Sequence, residues 1–136
     1  MSKLGRYSAD RKKVEALTAT KTVEVADCGT VFTAVGDAAI SINLPTIASA
    51  GKGWWCKIIK TGAASGGQDI TVAAHADDGA TPMMGVELSP THAVVNGDDL
   101  VIEDAANKGS QVEILCDGTS WHVLAFSVLA AGVTIG

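Results

Sequence analysis

Four residues whose side chains can take part in catalysis lie within seven positions near the end of the chain. They are Cys116, Asp117, Ser120 and His122, in the stretch EILCDGTSWHVLAF that covers residues 113–126. Together these residue types can supply a nucleophile, a general base and the acid that orients the base. A catalytic thiol must also be accessible and have a lowered pKa. Whether these residues are catalytic or structural therefore depends on which face of its strand each side chain occupies.

The runs on either side of Asp117-Gly118 alternate with the period of two that is typical of strands, which predicts a hairpin. The side chains predicted to share its core face are Val112, Ile114 and Cys116 in the first run and Trp121, Val123 and Ala125 in the second. His122 is predicted to point the opposite way from Trp121. A cysteine buried among aliphatic side chains is neither acidified nor accessible. The stretch is therefore predicted to be scaffold, and no catalytic residue is assigned.

Other patterns in the chain lack the spacing that their chemistry needs. The acidic stretches at 76–79 and 97–104 do not match the alternating ligands and closing glutamate of a calcium loop. The run GKGWW lacks the spacing of a phosphate-binding loop. The cysteines Cys28, Cys56 and Cys116 are widely spaced and form no CxxC pair. The sequence therefore predicts no metal, no cofactor and no enzymatic activity.

Two adjacent tryptophans, Trp54 and Trp55, are the possible surface aromatics, because an exposed indole can stack on a sugar ring. Successive side chains in a strand point to opposite faces, so at most one of the two lines any given surface. The other is most simply a core residue.

Composition predicts one soluble domain. The chain has 136 residues, of which 47% are hydrophobic and 18% charged, and this excludes a disordered protein. It contains no apolar run of 18 residues, and its opening residues lack the apolar segment of a signal peptide. We therefore expect a protein that is made in a cytoplasm and does not enter membranes.

The charge is divided unevenly along the chain. Residues 1–13 hold five basic residues and one acid, whereas the remainder holds five basic residues and fourteen acids. A basic segment on an acidic body is typical of a tether onto an acidic partner, although a solvated terminus has the same composition. The acidic body argues against nucleic-acid binding.

From residue 18 onward the pattern predicts an all-β domain. About nine or ten short alternating runs are separated by turn signals every eight to twelve residues, which favours an antiparallel β-sandwich or barrel of the jelly-roll kind. Asn96-Gly97 is a strong hairpin signal between two of these runs. We expect residues 1–17 to form an extended basic arm and residues 18–136 to form the domain.

Three stretches of the chain resemble small structural proteins of tailed bacteriophages. They are INLPTIASAGKGWWCKIIKTG, NGDDLVIED and, above all, GSQVEILCDGTSWHVLA. The opening RYSADRKKVEALTATKTV is similar to the start of head decoration proteins from marine podoviruses of the cyanophage type. This resemblance covers nearly the whole chain, although it is carried by turns and packing positions. Hairpins with a DGTxW turn also occur in tail-fibre modules.

The resemblance implies a protein on the outer surface of a capsid that binds the major capsid protein, with trimers at local three-fold positions. We expect its basic arm to contact acidic patches of the coat through Arg6, Tyr7, Arg11, Lys12 and Lys13. The alternative is a tail-fibre or head-fibre module that binds host surface glycans through an exposed Trp54 or Trp55. A small hydrolase or a cellular binding module remains a third possibility, without any residue pattern in its favour.

Overall fold

Two β-sheets that enclose one apolar core make up the domain. The computed structural model describes residues 11–64, 68–88, 93–129 and 131–136. Within these residues twelve strands form a seven-stranded and a five-stranded sheet, and the helical segments are confined to single short turns. The predicted all-β sandwich is confirmed, with more strands than the nine or ten expected. None of the helices in the described ranges is long or apolar enough to cross a membrane.

The strands are short and follow one another closely along the chain. The seven-stranded sheet has the order β1-β3-β5-β10-β11-β7-β8, and the five-stranded sheet has the order β12-β9-β6-β4-β2. Their bounds are β1 Lys13–Leu17, β2 Lys21–Thr22, β3 Thr30–Ala34, β4 Ile40–Asn43, β5 Trp55–Lys60, β6 Ile70–Ala73, β7 Met83–Leu88, β8 Ala93–Gly97, β9 Asp99–Ile102, β10 Gln111–Cys116, β11 Trp121–Phe126 and β12 Val133–Ile135. The helical segments are η1 Val25–Asp27, α1 Ile47–Ala50 and η2 Ala76–Asp78.

The first six strands alternate between the two sheets, and this alternation explains why both sheets are mixed. Because each strand is followed by one in the opposite sheet, the next strand of the same sheet runs in the same direction. Accordingly β1, β3 and β5 pair in parallel in one sheet, and β2, β4 and β6 do so in the other. Strands of the facing sheet thus provide the crossover that parallel pairing requires. The antiparallel pairing expected from the sequence is found in half of the strand pairs.

Alternating burial along the strands builds the core. In β10 and β11 every second side chain is buried, and the buried set includes Ile114, Cys116, Trp121 and Val123. The five-stranded sheet contributes a matching set that includes Ile42, Ile70 and Leu100, among others. Each large aliphatic or aromatic side chain buried in this way stabilises the fold by about 1.5–3 kcal/mol.

The hairpin predicted at Asn96-Gly97 does not form. The strand β8 runs through both residues and pairs with β7, whereas β9 lies in the opposite sheet. A Cβ atom at Gly97 would collide with the backbone of Gly136, and Gly136 accepts hydrogen bonds from the amides of Asp98 and Asp99. The glycine is therefore used for a close approach to the last residue of the chain, at a crossover between the sheets.

The β-domain also begins earlier in the chain than expected. Residues 13–17, which the sequence analysis assigned to the arm, form the edge strand β1 and pair along their whole length with β3. Leu17 at the end of β1 is buried in the core. Alternation of Val14 and Ala16 with charged neighbours is a weak strand pattern, so tertiary pairing decides the conformation here.

Candidate functional site

The hairpin that carries the four candidate catalytic residues is held by a tight polar turn. Asp117 Oδ1 accepts hydrogen bonds from the amides of Thr119 (2.7 Å) and Ser120 (2.8 Å). Gly118 adopts a φ of 94°, a conformation that residues with a Cβ rarely adopt. The turn brings Cys116 directly opposite Trp121. The predicted hairpin and the faces of its side chains are confirmed.

An Asp–His pair lies on the outside of this hairpin. His122 Nε2 lies 2.6 Å from Asp117 Oδ2, and both side chains are nearly half exposed. The hydrogen bond with His122, followed by those from the amides of Ser120 and Thr119, lowers the pKa of Asp117 to about 2. This pair is the acid and base of the grouping considered from the sequence.

Two of the three thiols lie on the opposite side of the sheet from His122, whereas Cys28 is exposed. Cys116 is buried in the core, on the face that also carries Trp121. Cys56 is buried on the neighbouring strand β5, opposite Ile114. Burial raises the pKa of the Cys56 thiol. The His122 imidazole and the Cys116 thiol are therefore separated by the sheet itself.

We expect the stabilising role of Asp117 to disappear in acid. Its folded-state pKa is about 2, below the usual value near 3.9, so its contribution is complete above about pH 4 and is lost as the pH falls towards 2. A carboxyl-detected NMR titration should give a midpoint near 2 in the native protein and a higher one in His122→Ala. A midpoint near 4 in the native protein would contradict the hydrogen bonding described for the turn.

The two tryptophans have different environments, as their adjacent positions require. Trp54 is 3% exposed, donates its indole N–H to the carbonyl of Val25 (2.9 Å) and meets Trp121 edge to face. Trp54 is therefore a core residue, and the prediction that it could be a surface aromatic is wrong. Trp55 is half-buried on the outer face of the seven-stranded sheet, where the Lys12 ammonium lies 5.5 Å from its ring centroid. This cation–π contact covers one face of the Trp55 ring.

The basic residues proposed for the arm are partly described. Arg6 and Tyr7 lie outside the described residues, whereas Arg11, Lys12 and Lys13 are exposed and lead into β1. Lys13 lies 3.7 Å from both Glu15 and Asp27. The Lys13 ammonium therefore interacts with acids of the same chain, whereas the Lys12 ammonium makes the cation–π contact with Trp55.

Several acidic side chains in or near the stretches considered for calcium accept hydrogen bonds within the fold. Both carboxylate oxygens of Asp78 accept the amide of Ile47 at 3.1 Å, which holds η2 against the start of α1. Carboxylate oxygens of Asp69, Glu103 and Asp104 lie within 4.8 Å of one another. Asp69 accepts the amide of Asp104 (2.8 Å) and Glu103 accepts the hydroxyl of Thr134 (2.9 Å). These bonds give the cluster a structural role in joining the loop after β9 to its neighbours.

The most extensive candidate site is the outer face of the seven-stranded sheet. Strand register sets large apolar side chains side by side there: Leu124 opposite Val86, Phe126 opposite Leu88, and Leu115 and Met84 on either side of His122. We call these six apolar residues, Met84, Val86, Leu88, Leu115, Leu124 and Phe126, the apolar face. All but the half-buried Val86 are between 38% and 45% exposed.

The other sheet presents a different surface. Apart from the half-buried Val101, the outward side chains of β4, β6, β9 and β12 are small or polar: Ser41, Asn43, Thr71, Ala73, Asp99 and Thr134. Among the residues that the structure describes, the two outer surfaces of the sandwich are therefore unequal, with the large exposed apolar side chains on the outside of the seven-stranded sheet. Contiguous exposed apolar surface of this kind marks binding sites for other proteins.

The apolar face was not predicted, although the sequence contains a signal for it. His122 and Leu124 were predicted to share the face opposite Trp121, without any role for that face. The runs EILC and HVLAF, however, carry apolar residues on both faces of the strand. Near-continuous apolar runs are typical of strands that are covered on both sides.

Comparisons with known proteins add no assignment to this geometry. The chain matches no protein-family model, no curated protein and no solved structure.

Proposed function

We propose that the protein is a non-enzymatic structural protein that works by binding other proteins, and that its place is the outer surface of a bacteriophage capsid. The observation that carries the protein-binding role is the apolar face. Five of its side chains keep about two-fifths of their surface exposed, although they lie in adjacent rows on rigid strands. Covering them with another protein removes that surface from water, at about 25 cal/mol for each Å² of apolar area.

The capsid as the place of action is supported by the resemblance to phage head decoration proteins. The motif that carries most of it, VEILCDGTSWHV, forms the central hairpin of the seven-stranded sheet. A decoration protein stabilises a capsid because it binds the assembled shell in preference to free coat subunits. Contacts by several linked copies raise the effective concentration of each further contact, so weak individual contacts suffice. The resemblance implies trimers, and the major capsid protein is the proposed partner.

The basic start of the chain is the proposed tether onto the coat. Arg11 and Lys12 are exposed and precede an acidic domain, so acidic patches on coat subunits can approach this segment. Opposite charges that meet at an interface rim chiefly raise the association rate and make binding dependent on salt. Lys13 is expected to contribute little, because it contacts Glu15 and Asp27 of the same chain.

Binding to phage heads tests this proposal. Purified protein is titrated against expanded heads stripped of accessory proteins, and bound protein is measured by sedimentation. We expect saturable binding at a copy number commensurate with the capsid lattice. Absence of binding to heads would contradict the capsid role.

The tether is tested with a matched pair of charge variants. Arg11→Gln/Lys12→Gln should weaken binding to heads by about tenfold and flatten its salt dependence, as loss of two interfacial charges predicts. The control Lys52→Gln/Lys108→Gln removes the same charge from two exposed positions elsewhere and should leave affinity unchanged. Equal effects of the two pairs would show that only net charge matters and would contradict a tether.

A glycan-binding fibre module is the second candidate, and Trp55 is the observation that favours it. Trp55 is accessible on a sheet face that contains further apolar side chains. Against this role, Lys12 occupies one side of its ring. Binding to whole host cells that is lost in Trp55→Ala, together with no binding to heads, would assign the protein to a fibre.

A further inference from the structure

The central row of outward side chains across the seven-stranded sheet has an unusual order. Strand register places Val14, Val31, Lys57, Glu113, Leu124 and Val86 side by side, on β1, β3, β5, β10, β11 and β7 respectively. Read from one edge, the row is apolar, apolar, basic, acidic, apolar, apolar. The opposite charges are in the middle, and the apolar residues are paired on either side of them.

This order is self-complementary when the row is laid face to face against itself. A two-fold axis parallel to the strands and midway between β5 and β10 sets β5 of one copy over β10 of the other. Lys57 then faces Glu113 of the second copy, twice over, and the exposed Val14 faces Val86. Val31, which is only 6% exposed in the single chain, lies beneath Leu124 of the second copy. An interface of this isologous kind requires such a match, because each contact between two residues is repeated with their roles exchanged.

We propose that the outer face of the seven-stranded sheet is a surface on which two copies of this chain pair about a two-fold axis. The neighbouring rows are compatible with the same axis. Trp55 on β5 faces Leu115 on β10 of the second copy, and Thr33 on β3 faces Phe126 on β11. The bulky side chains of the apolar face thereby meet the smaller side chains of β1 and β3.

The charges explain why a second copy fits this face. Lys57 and Glu113 are register neighbours within one chain, so pairing would place two lysines and two glutamates in an alternating square. Burying charge is costly unless each ion is paired, and this arrangement gives each ion an opposite charge on both chains. A wholly apolar partner would leave both ions buried without that second opposite charge.

The size of the face also suits a pair. Seven strands about 4.8 Å apart and about 18 Å long present a flat area of roughly 500 Å². Projecting side chains raise the accessible surface above that flat area, towards the roughly 800 Å² per partner found in stable complexes. The two facing sheets would pack about 10 Å apart, as the layers of a sandwich do.

A two-fold pair differs from the trimer that the phage resemblance implies, and the difference can be measured. The contact described closes on itself after two copies, whereas a trimer needs two different surfaces that meet head to tail. The inference does not depend on the capsid role, because its tests use the purified chain alone.

The mass of the full chain in solution is the first test. Sedimentation velocity and light scattering over about 1–100 μM should give the mass of two chains. Leu124→Glu places a charge in the apolar part of the row and should weaken pairing at least about a hundredfold, while circular dichroism reports a native fold. Val101→Glu, the matched change on the outer face of the five-stranded sheet, should still pair. A monomer or a trimer for the native chain, or pairing that survives Leu124→Glu, would overturn the proposal.

Exchange of the central charges is the second test and is specific to the proposed axis. Lys57→Glu and Glu113→Lys should each weaken self-pairing by about tenfold or more, because like charges then face each other twice. An equimolar mixture of these two variants should form a mixed pair, since every facing contact becomes attractive again. Failure of the mixture to pair more tightly than either variant alone would overturn the two-fold arrangement.

Discussion

Truncation of Trp121 to alanine is expected to lower the free energy of unfolding by about 3–5 kcal/mol. Trp121 has no exposed surface and begins β11, opposite Cys116 on one side and Met83 on the other. Its ring lies 5.5 Å from that of Trp54 with an interplanar angle of 77°, an edge-to-face contact that adds to the burial itself. Removal leaves a cavity that rigid strands cannot close. Urea unfolding followed by far-UV circular dichroism measures the loss.

The variant Trp121→Phe separates the size of this side chain from its polar atom. The indole N–H of Trp121 is buried and has no hydrogen-bond partner among the described residues. Phenylalanine lacks this N–H, and its absence deprives no acceptor of a donor. We therefore expect Trp121→Phe to lower the free energy of unfolding by only about 1–2 kcal/mol, because its ring is smaller. If Trp121→Ala cost less than about 1 kcal/mol, or if both variants cost the same, the packing described around this ring would be wrong.

The central hairpin was predictable because its information is local. Alternation in QVEILC and WHVLAF, together with the glycine that the turn needs, determines the strands, their register and the burial of Cys116 and Trp121. The same alternation correctly indicated that only one of the adjacent tryptophans could reach a surface. Period-two patterns report which side of a strand is buried whatever the partner strand.

The strand order was not predictable in the same way, because it depends on contacts between distant residues. Nothing in the local pattern of β1 to β6 states that successive strands alternate between sheets. At Asn96-Gly97 the local preference for a hairpin was overridden by packing against Gly136. Long-range pairing of this kind decides topology when several strands have similar local propensities.

The apolar face was not predicted for a related reason. A sequence pattern separates the two faces of a strand, but it does not show what covers the second face. Leu124 and Phe126 were readable as residues opposite the core, whereas their alignment with Val86 and Leu88 depends on the parallel pairing of β11 with β7. The self-complementary row needs six strands in one order, and that order exists only in the folded chain.

Replacement of Lys60 by methionine is expected to lower the free energy of unfolding by about 2–4 kcal/mol, although methionine is apolar and similar in length. Lys60 is 1% exposed, on the same face of β5 as Cys56 and Ile58. Its ammonium donates to the carbonyls of Glu103 (3.2 Å) and Asp104 (2.7 Å). Hydrogen bonds from a charged donor contribute about 1.5–3 kcal/mol each, and a buried carbonyl left without a donor adds its own cost.

The backbone of the same strand shows why a lysine occupies this inward position. Lys60 also exchanges main-chain hydrogen bonds with the loop between β9 and β10, from its amide to Ser110 and from Gly109 to its carbonyl. Its side chain supplies donors to two further carbonyls of that loop, so the ammonium joins the end of β5 to residues 103–110. Its Cε lies only 3.0 Å from the position of a Cβ at Gly36, which leaves little room for the larger guanidinium of arginine.

Local and global measurements together test this role. Lys60→Met should increase amide hydrogen exchange most strongly at 103–110, whereas the exposed control Lys52→Met should change stability by less than about 0.5 kcal/mol. A loss confined to global stability, with exchange in the loop unchanged relative to the rest of the chain, would mean that the side chain acts only by filling space. A Lys60→Met variant as stable as the native protein would show that water can replace the ammonium at these carbonyls. The expected pattern instead makes this one buried charge the link between the end of β5 and the loop that leads into β10.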